Sequence, residues 1–196
     1  MVRKITYIDL LRLYLTDYSR RYYLRELADL LKKPHQTIKP YLESLVKEKV
    51  LIKYERKNIT EYGLNFKNNR IYDYLTVAEK DRLNKRLTED TLLEILFEKL
   101  SAAFNKNFFV IFGSSVIKTQ KNSDIDLLVI GSEDVDKIID SFQEVYNKLV
   151  HKIQVKKLNG ISLALIKEIY KKHLILNNTE SVVRYFGELY EQNKLV

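Results

Sequence analysis

The sequence predicts an α+β protein in two parts: helices and a β-hairpin over residues 1–72, then a small mixed sheet with flanking helices over 73–196. Three observations predict this. Helical periodicity gives way to two short strands before residue 65. From residue 108 onward, apolar strands alternate with amphipathic helices. The positive charge is also concentrated at one end. Of a net +8, residues 1–75 carry 16 Lys/Arg against 9 Asp/Glu, whereas residues 76–196 carry 18 against 17.

The N-terminal elements follow in order. Ile5 to Leu15 has apolar residues at 5, 8, 10, 11, 13 and 15, a helical stripe. After a polar break at Thr16–Arg21, Leu24, Leu27, Ala28, Leu30 and Leu31 form a short helix that Lys33-Pro34 ends. A third helix has Ile38, Tyr41, Leu42, Leu45 and Val46 on one face, with Thr37 as expected N-cap, so that Pro40 falls in the first turn and loses no helical bond. Val50 to Tyr54 and Ile59 to Leu64 are strands joined by a turn at Arg56-Lys57-Asn58.

The second part opens with helical pattern from Tyr72 to Phe104, the stronger stretch beginning at Thr88 ahead of Glu89-Asp90. Strands are expected at 108–112, 125–130 and 152–158, and helices at 136–149, 161–172 and 179–191. With 45% hydrophobic and 31% charged residues the composition is that of a globular protein. The absence of cysteine excludes disulfides and thiolate metal sites. No apolar run approaches the length of a membrane span and no signal peptide is evident, so no membrane association and a cytoplasmic location are expected.

The chemistry concentrates between residues 108 and 130. An apolar strand ends in Gly113-Ser114, and nine residues later Asp124-Ile125-Asp126 opens a second apolar strand. Residues i and i+2 of a strand share a face, so both aspartates point one way. Two carboxylates about 7 Å apart repel by roughly 2 kcal/mol at an effective dielectric near 20, and a divalent cation reverses that sign. Gly113 lets backbone approach an anion, and Ser114 can donate its hydroxyl to the same oxygens.

These residues resemble the signature of the DNA polymerase β-type nucleotidyltransferase superfamily, and within it the minimal nucleotidyltransferases. The resemblance spans residues 88–176 and implies Mg2+ (or Mn2+) bound by Asp124 and Asp126 as catalytic and metal-ligating residues. An NTP, as substrate or effector, would meet Gly113, Ser114, Ser123 and Lys118. Val116, Ile117 and Lys118 stand where the family usually has Ala-x-Gly. The family's third carboxylate lies on a later strand, where this chain has Gln154; Glu133, Asp134 or Asp136 would be the substitutes. Minimal nucleotidyltransferases are often encoded beside helical toxin-like proteins, which implies such a partner.

The first 65 residues, in the order helix, helix, helix, hairpin, are similar to the winged helix-turn-helix domains of archaeal and bacterial transcription regulators. This implies binding to double-stranded DNA and a homodimer. His35, Gln36, Thr37 and Lys39 at the start of the third helix, and Lys53, Arg56 and Lys57 on the hairpin, are the candidate contacts. Lys49 stands where such domains often have glycine. His151 and His173 are expected as surface or capping groups. Two functions remain open. One is transfer of a nucleoside monophosphate from an NTP to an unknown acceptor by a DNA-tethered enzyme. The other is transcription regulation, with a catalytically degenerate domain acting as nucleotide sensor or dimerisation module.

Overall fold

The Asp9 carboxylate closes the first turn of helix α1 (Tyr7–Leu11) by accepting from the backbone N–H (2.9 Å) and hydroxyl (3.0 Å) of Thr6. The expected helix over 5–15 is shorter: α1 passes into a 3-10 turn at Arg12–Tyr14. This computed structural model describes residues 4–56, 58–119 and 123–195. Two units are resolved, one comprising residues through Ala78 with those from Phe186 onward, the other Glu79–Tyr185.

In the first unit, Tyr22–Tyr23 forms a short strand β1, and Leu24–Leu31 forms helix α2, ended by left-handed Lys32 before Pro34. Helix α3 spans His35–Lys47, which corrects the expected start. Pro34 and not Thr37 caps it, and the Thr37 N–H donates to the Pro34 carbonyl at 2.9 Å. Pro40 therefore lies inside the helix, where its ring nitrogen offers no N–H to the Gln36 carbonyl. Lys49 adopts φ +57°, so the position common to glycine does need a left-handed backbone. Its carbonyl is held by the side-chain amides of Asn65 (2.8 Å) and Asn68 (3.0 Å).

Strands β2 (Leu51–Arg56) and β3 (Ile59–Leu64) pair antiparallel, and β1 joins the free edge of β3, giving the order β1-β3-β2. Leu10, Leu11, Leu27, Ile38 and Leu42 of this unit are fully buried. Tyr14 shares that core and donates to the Tyr62 carbonyl at 2.8 Å; burial pushes its phenol far above the usual range. Tyr7 and Tyr23, by contrast, are exposed.

The division between units falls inside helix α4 (Arg70–Glu89) and inside helix α8 (Thr179–Glu191). Helix α5 (Thr91–Ser101) is capped by Asp90, whose carboxylate accepts from the Leu93 N–H at 3.2 Å. Thr88, expected to start that helix, instead bonds back to the Asn84 carbonyl within α4. The second sheet comprises β4 (Asn107–Phe112), β5 (Ile125–Gly131), β6 (Val150–Val155) and β7 (His173–Ile175). Its order is β6-β5-β4-β7, with β4 antiparallel to both β5 and β7, and β5 parallel to β6.

A parallel pair needs a crossover, and α6 (Asp136–Tyr146) supplies it. Helix α7 (Leu163–Lys171) precedes β7. Ile111, Ile125, Leu127, Val129 and Leu174 cluster with Leu93, Leu96 and Leu100 of α5 and with Ile139 and Phe142 of α6. The chain is thus mixed α+β with two sheets. Among the described residues no helix is long and apolar enough to cross a membrane.

Candidate functional site

Register places Gly113 and Ser114 next to Asp126. Phe112, the last residue of β4, is directly opposite Asp126 on β5, so the chain turns at Gly113 beside that carboxylate. Gly113 adopts φ +73°, and a Cβ on it would lie 2.6 Å from Asp126 Oδ2. Both the conformation and the space therefore require glycine. Gly113–Val116 forms a 3-10 turn with the Ser114 side chain exposed. Buried Ser115, which sequence reasoning passed over, donates its hydroxyl to the Asp124 carbonyl at 2.9 Å and ties the turn to the start of β5.

Asp124 immediately precedes β5 and is exposed, Ile125 is fully buried in the core, and Asp126 is partly exposed. Gly113, Ser114 and Asp126 line a cleft of about 600 Å³ with His151, Ile153 and, from α7, Glu168, Lys171 and Lys172. Asp124, Lys118 and Ser123 are not among its lining residues. Lys118 is exposed beyond the turn, and the Ser123 carbonyl accepts from the buried Lys148 ammonium.

The third-acid position reads differently in three dimensions. Gln154 is opposite Val129, not Asp126, and its amide nitrogen donates to the carbonyls of Gly131 (3.2 Å) and Glu133 (3.1 Å). The neighbour of Asp126 on β6 is His151, with Nδ1 3.3 Å from Asp126 Oδ1. On the face of β6 that meets the cleft stand His151 and Ile153, neither of them an acid. The substitutes are engaged elsewhere: Glu133 pairs with Lys106 (2.8 Å), Asp136 with Lys152, and Asp134 accepts from the Asp136 N–H. They follow the far end of β5, where seven residues of strand correspond to about 23 Å.

At the cleft the Asp126 carboxylate and the exposed Ser114 hydroxyl are oxygen donors of the kind a hard divalent cation takes. Among the described residues no three His, Cys, Asp or Glu side chains converge as a metal cage. A cation held here would therefore take its remaining ligands from phosphate and water. His173, expected as a surface or capping group, is completely buried, and it does meet a carbonyl in the last turn of α7. Its Nδ1 meets the Tyr170 carbonyl at 2.9 Å and its Nε2 meets Glu79 Oε1 at 2.8 Å.

In the first unit, the α3 residues His35, Gln36, Thr37 and Lys39 are all exposed at the start of the helix. His35 lines a groove of about 840 Å³ with Arg25, Lys33, Asn58 and Thr60, adding two cations that the sequence reading did not single out. Lys53 and Arg56 are exposed on β2, three residues apart and hence on opposite faces by strand alternation. Lys57 lies outside the described residues.

Residues 96–181 match the family described as Polymerase beta, Nucleotidyltransferase. No curated protein matches the sequence. Among solved structures, the chain is similar to a toxin-antitoxin MntA-HpeT mutant at 16% identity and a TM-score of 0.39, covering 51% of this chain and 86% of that one. It is also similar to a toxin-antitoxin with AMP-PNP, at 17% identity and a TM-score of 0.36, covering 49% and 83% of the two chains. A third similarity is to Pseudomonas aeruginosa HmgR at 16% identity and a TM-score of 0.28, covering 65% of this chain and 48% of HmgR.

Proposed function

We propose that the nucleotidyltransferase-type domain binds a nucleoside triphosphate at the Gly113-Ser114 corner and transfers its nucleoside monophosphate to an acceptor hydroxyl. The observation that carries this is the Asp126 carboxylate lying over a glycine that must be glycine, 2.6 Å from where a side chain would begin. Backbone N–H groups of the turn and the Ser114 hydroxyl would grip phosphate oxygens, and Lys171 and Lys172 would add positive charge at the cleft. Asp124 and Asp126 would hold Mg2+ or Mn2+, which neutralises the charge of the transferring phosphate. The acceptor oxygen forms a bond to the α-phosphorus as the bond to pyrophosphate breaks, and the hydroxyl proton passes to a base. In-line positioning is the protein's main contribution to such a reaction.

Incubation with labelled ATP, CTP, GTP or UTP, magnesium and cell extract tests the reading. The wild type should transfer label, and Asp126→Asn should lower transfer by about 100-fold or more while leaving the melting temperature nearly unchanged. Equal transfer by the variant would refute the assignment.

A second reading rests on one observation: the cleft face of β6 presents His151 and Ile153 where a third acid would stand. On that reading the domain is a nucleotide sensor of a transcription regulator, and wild-type protein binds NTP without transferring label.

We infer further that the first unit is a winged helix-turn-helix that binds double-stranded DNA, supported by the +7 excess of residues 1–75 and the exposed start of α3. Phosphate contacts release counterions, so affinity for the upstream DNA should fall steeply with salt, and Lys39→Ala should reduce the log–log slope by about 1. A flat salt response would exclude this.

A further inference from the structure

The Gly113–Val116 turn is gripped by a helix outside residues 96–181. Arg86 of α4 is 8% exposed and its guanidinium spans the turn. Nε donates to the Val116 carbonyl at 3.0 Å, and Nη2 reaches the Ser115 carbonyl at 3.3 Å and Asp90 at 2.6 Å. Two helical turns earlier on the same face, Glu79 touches His173, which is opposite Phe112 in the β4–β7 register. The Gly113 N–H, in turn, donates to the Lys172 carbonyl next to His173.

Charged side chains are rarely buried without partners that repay their desolvation, and apolar residues at Glu79 and Arg86 would pack without that penalty. What apolar residues cannot do is hold carbonyl oxygens at fixed points. A planar guanidinium with several fixed N–H donors can hold two at once, which a lysine ammonium cannot do in the same geometry.

We propose that α4 is the positioning element of the phosphate-binding corner. Arg86 fixes the Ser115 and Val116 carbonyls so that the turn keeps its shape, with the Gly113 N–H on the Lys172 carbonyl, the Ile117 N–H on the Ser114 carbonyl and Ser114 exposed at the cleft, and Glu79, through His173, fixes β7 against Phe112. Arg86 touches neither metal nor nucleotide; it acts through the turn. This rests on the nucleotide-binding reading given above.

The test uses the full chain carrying Arg86→Lys, which keeps the charge facing Asp90 but loses the two-carbonyl fork. Amide hydrogen exchange without nucleotide should quicken by about 10-fold or more at Gly113 and Ile117, with β5 and α5 unchanged. Calorimetric affinity for ATP with magnesium should fall by a comparable factor, about 10-fold. Unchanged exchange at those two amides overturns the proposal, and so does an even rise across the unit, which marks a merely structural role. Should the wild type bind no ATP, the nucleotide reading falls, while the exchange profile still decides whether α4 positions the turn. If Arg86→Lys fails to fold, the double change Arg86→Met with Asp90→Asn removes both charges of the pair, and the same local quickening is expected.

Discussion

Two carboxylate–imidazole pairs meet one row of the second sheet, the second of them completed by Glu79 of α4. His151, Asp126, Phe112 and His173 are successive neighbours across β6, β5, β4 and β7, so the two pairs flank Phe112. At one end, His151 and Asp126 are 3.3 Å apart with side chains 64% and 30% exposed. At the other, His173 and Glu79 are 2.8 Å apart and both fully buried. The same two functional groups thus occur in opposite environments, and environment assigns their work. In water the pair gains little and each member stays free for a ligand. In the interior both members are held further, Glu79 by Arg82 and His173 by the Tyr170 carbonyl, so the pair becomes part of the scaffold.

The largest expected effect breaks the buried pair. Glu79→Gln leaves Arg82, whose Nη2 is 2.6 Å from Glu79 Oε2, and His173 without their anion. Loss of one partner from a buried pair costs about 3–5 kcal/mol, so denaturant unfolding of the second unit should shift by that amount. Burial opposes ionisation of Glu79, but the charges of Arg82 and His173 outweigh it and hold the carboxyl below its ordinary value of 4.5. A depressed carboxyl contributes stability that is complete above its unfolded-state value and is lost as pH falls through its folded-state value. The gap between wild type and variant should therefore be widest near neutral pH and narrow below about pH 4. A gap that is small at neutral pH, or that widens in acid, would show that the pair is not a stabilising ion pair.

How much of this was legible beforehand follows from the same contrast. That Asp126, Gly113 and Ser114 lie together could be read because the signal is local: a strand, a turn and an alternating strand within 23 residues. Their meeting in one cleft follows from β4 and β5 being antiparallel neighbours. The role of His173 was not legible, because Glu79 stands 94 positions away and nothing in a lone histidine reports burial. Gln154 was misplaced for a related reason. Strand parity decides which face a residue occupies, and the parity of β6 is set by its parallel register with β5, which a single sequence does not display. In the first unit, the start of α3 was misjudged by giving Pro40 more weight than Pro34; the fixed φ of Pro34 suits a residue just outside a helix. The short strand β1 was missed because two residues carry no periodicity.

The smallest expected effect on stability falls at the other end of the row. His151→Ala removes an imidazole whose contact with Asp126 is long and open to solvent, so unfolding should change by no more than about 0.5 kcal/mol. Any consequence should appear in ligand binding instead, because the ring lines the cleft beside Asp126. Titration of the variant with Mn2+ and ATP, followed by electron spin resonance of the metal, separates the two effects. An affinity altered several-fold at unchanged stability would assign the exposed pair to the ligand. A loss of stability approaching that of Glu79→Gln would mean that the two pairs share one structural role, and burial would no longer distinguish them.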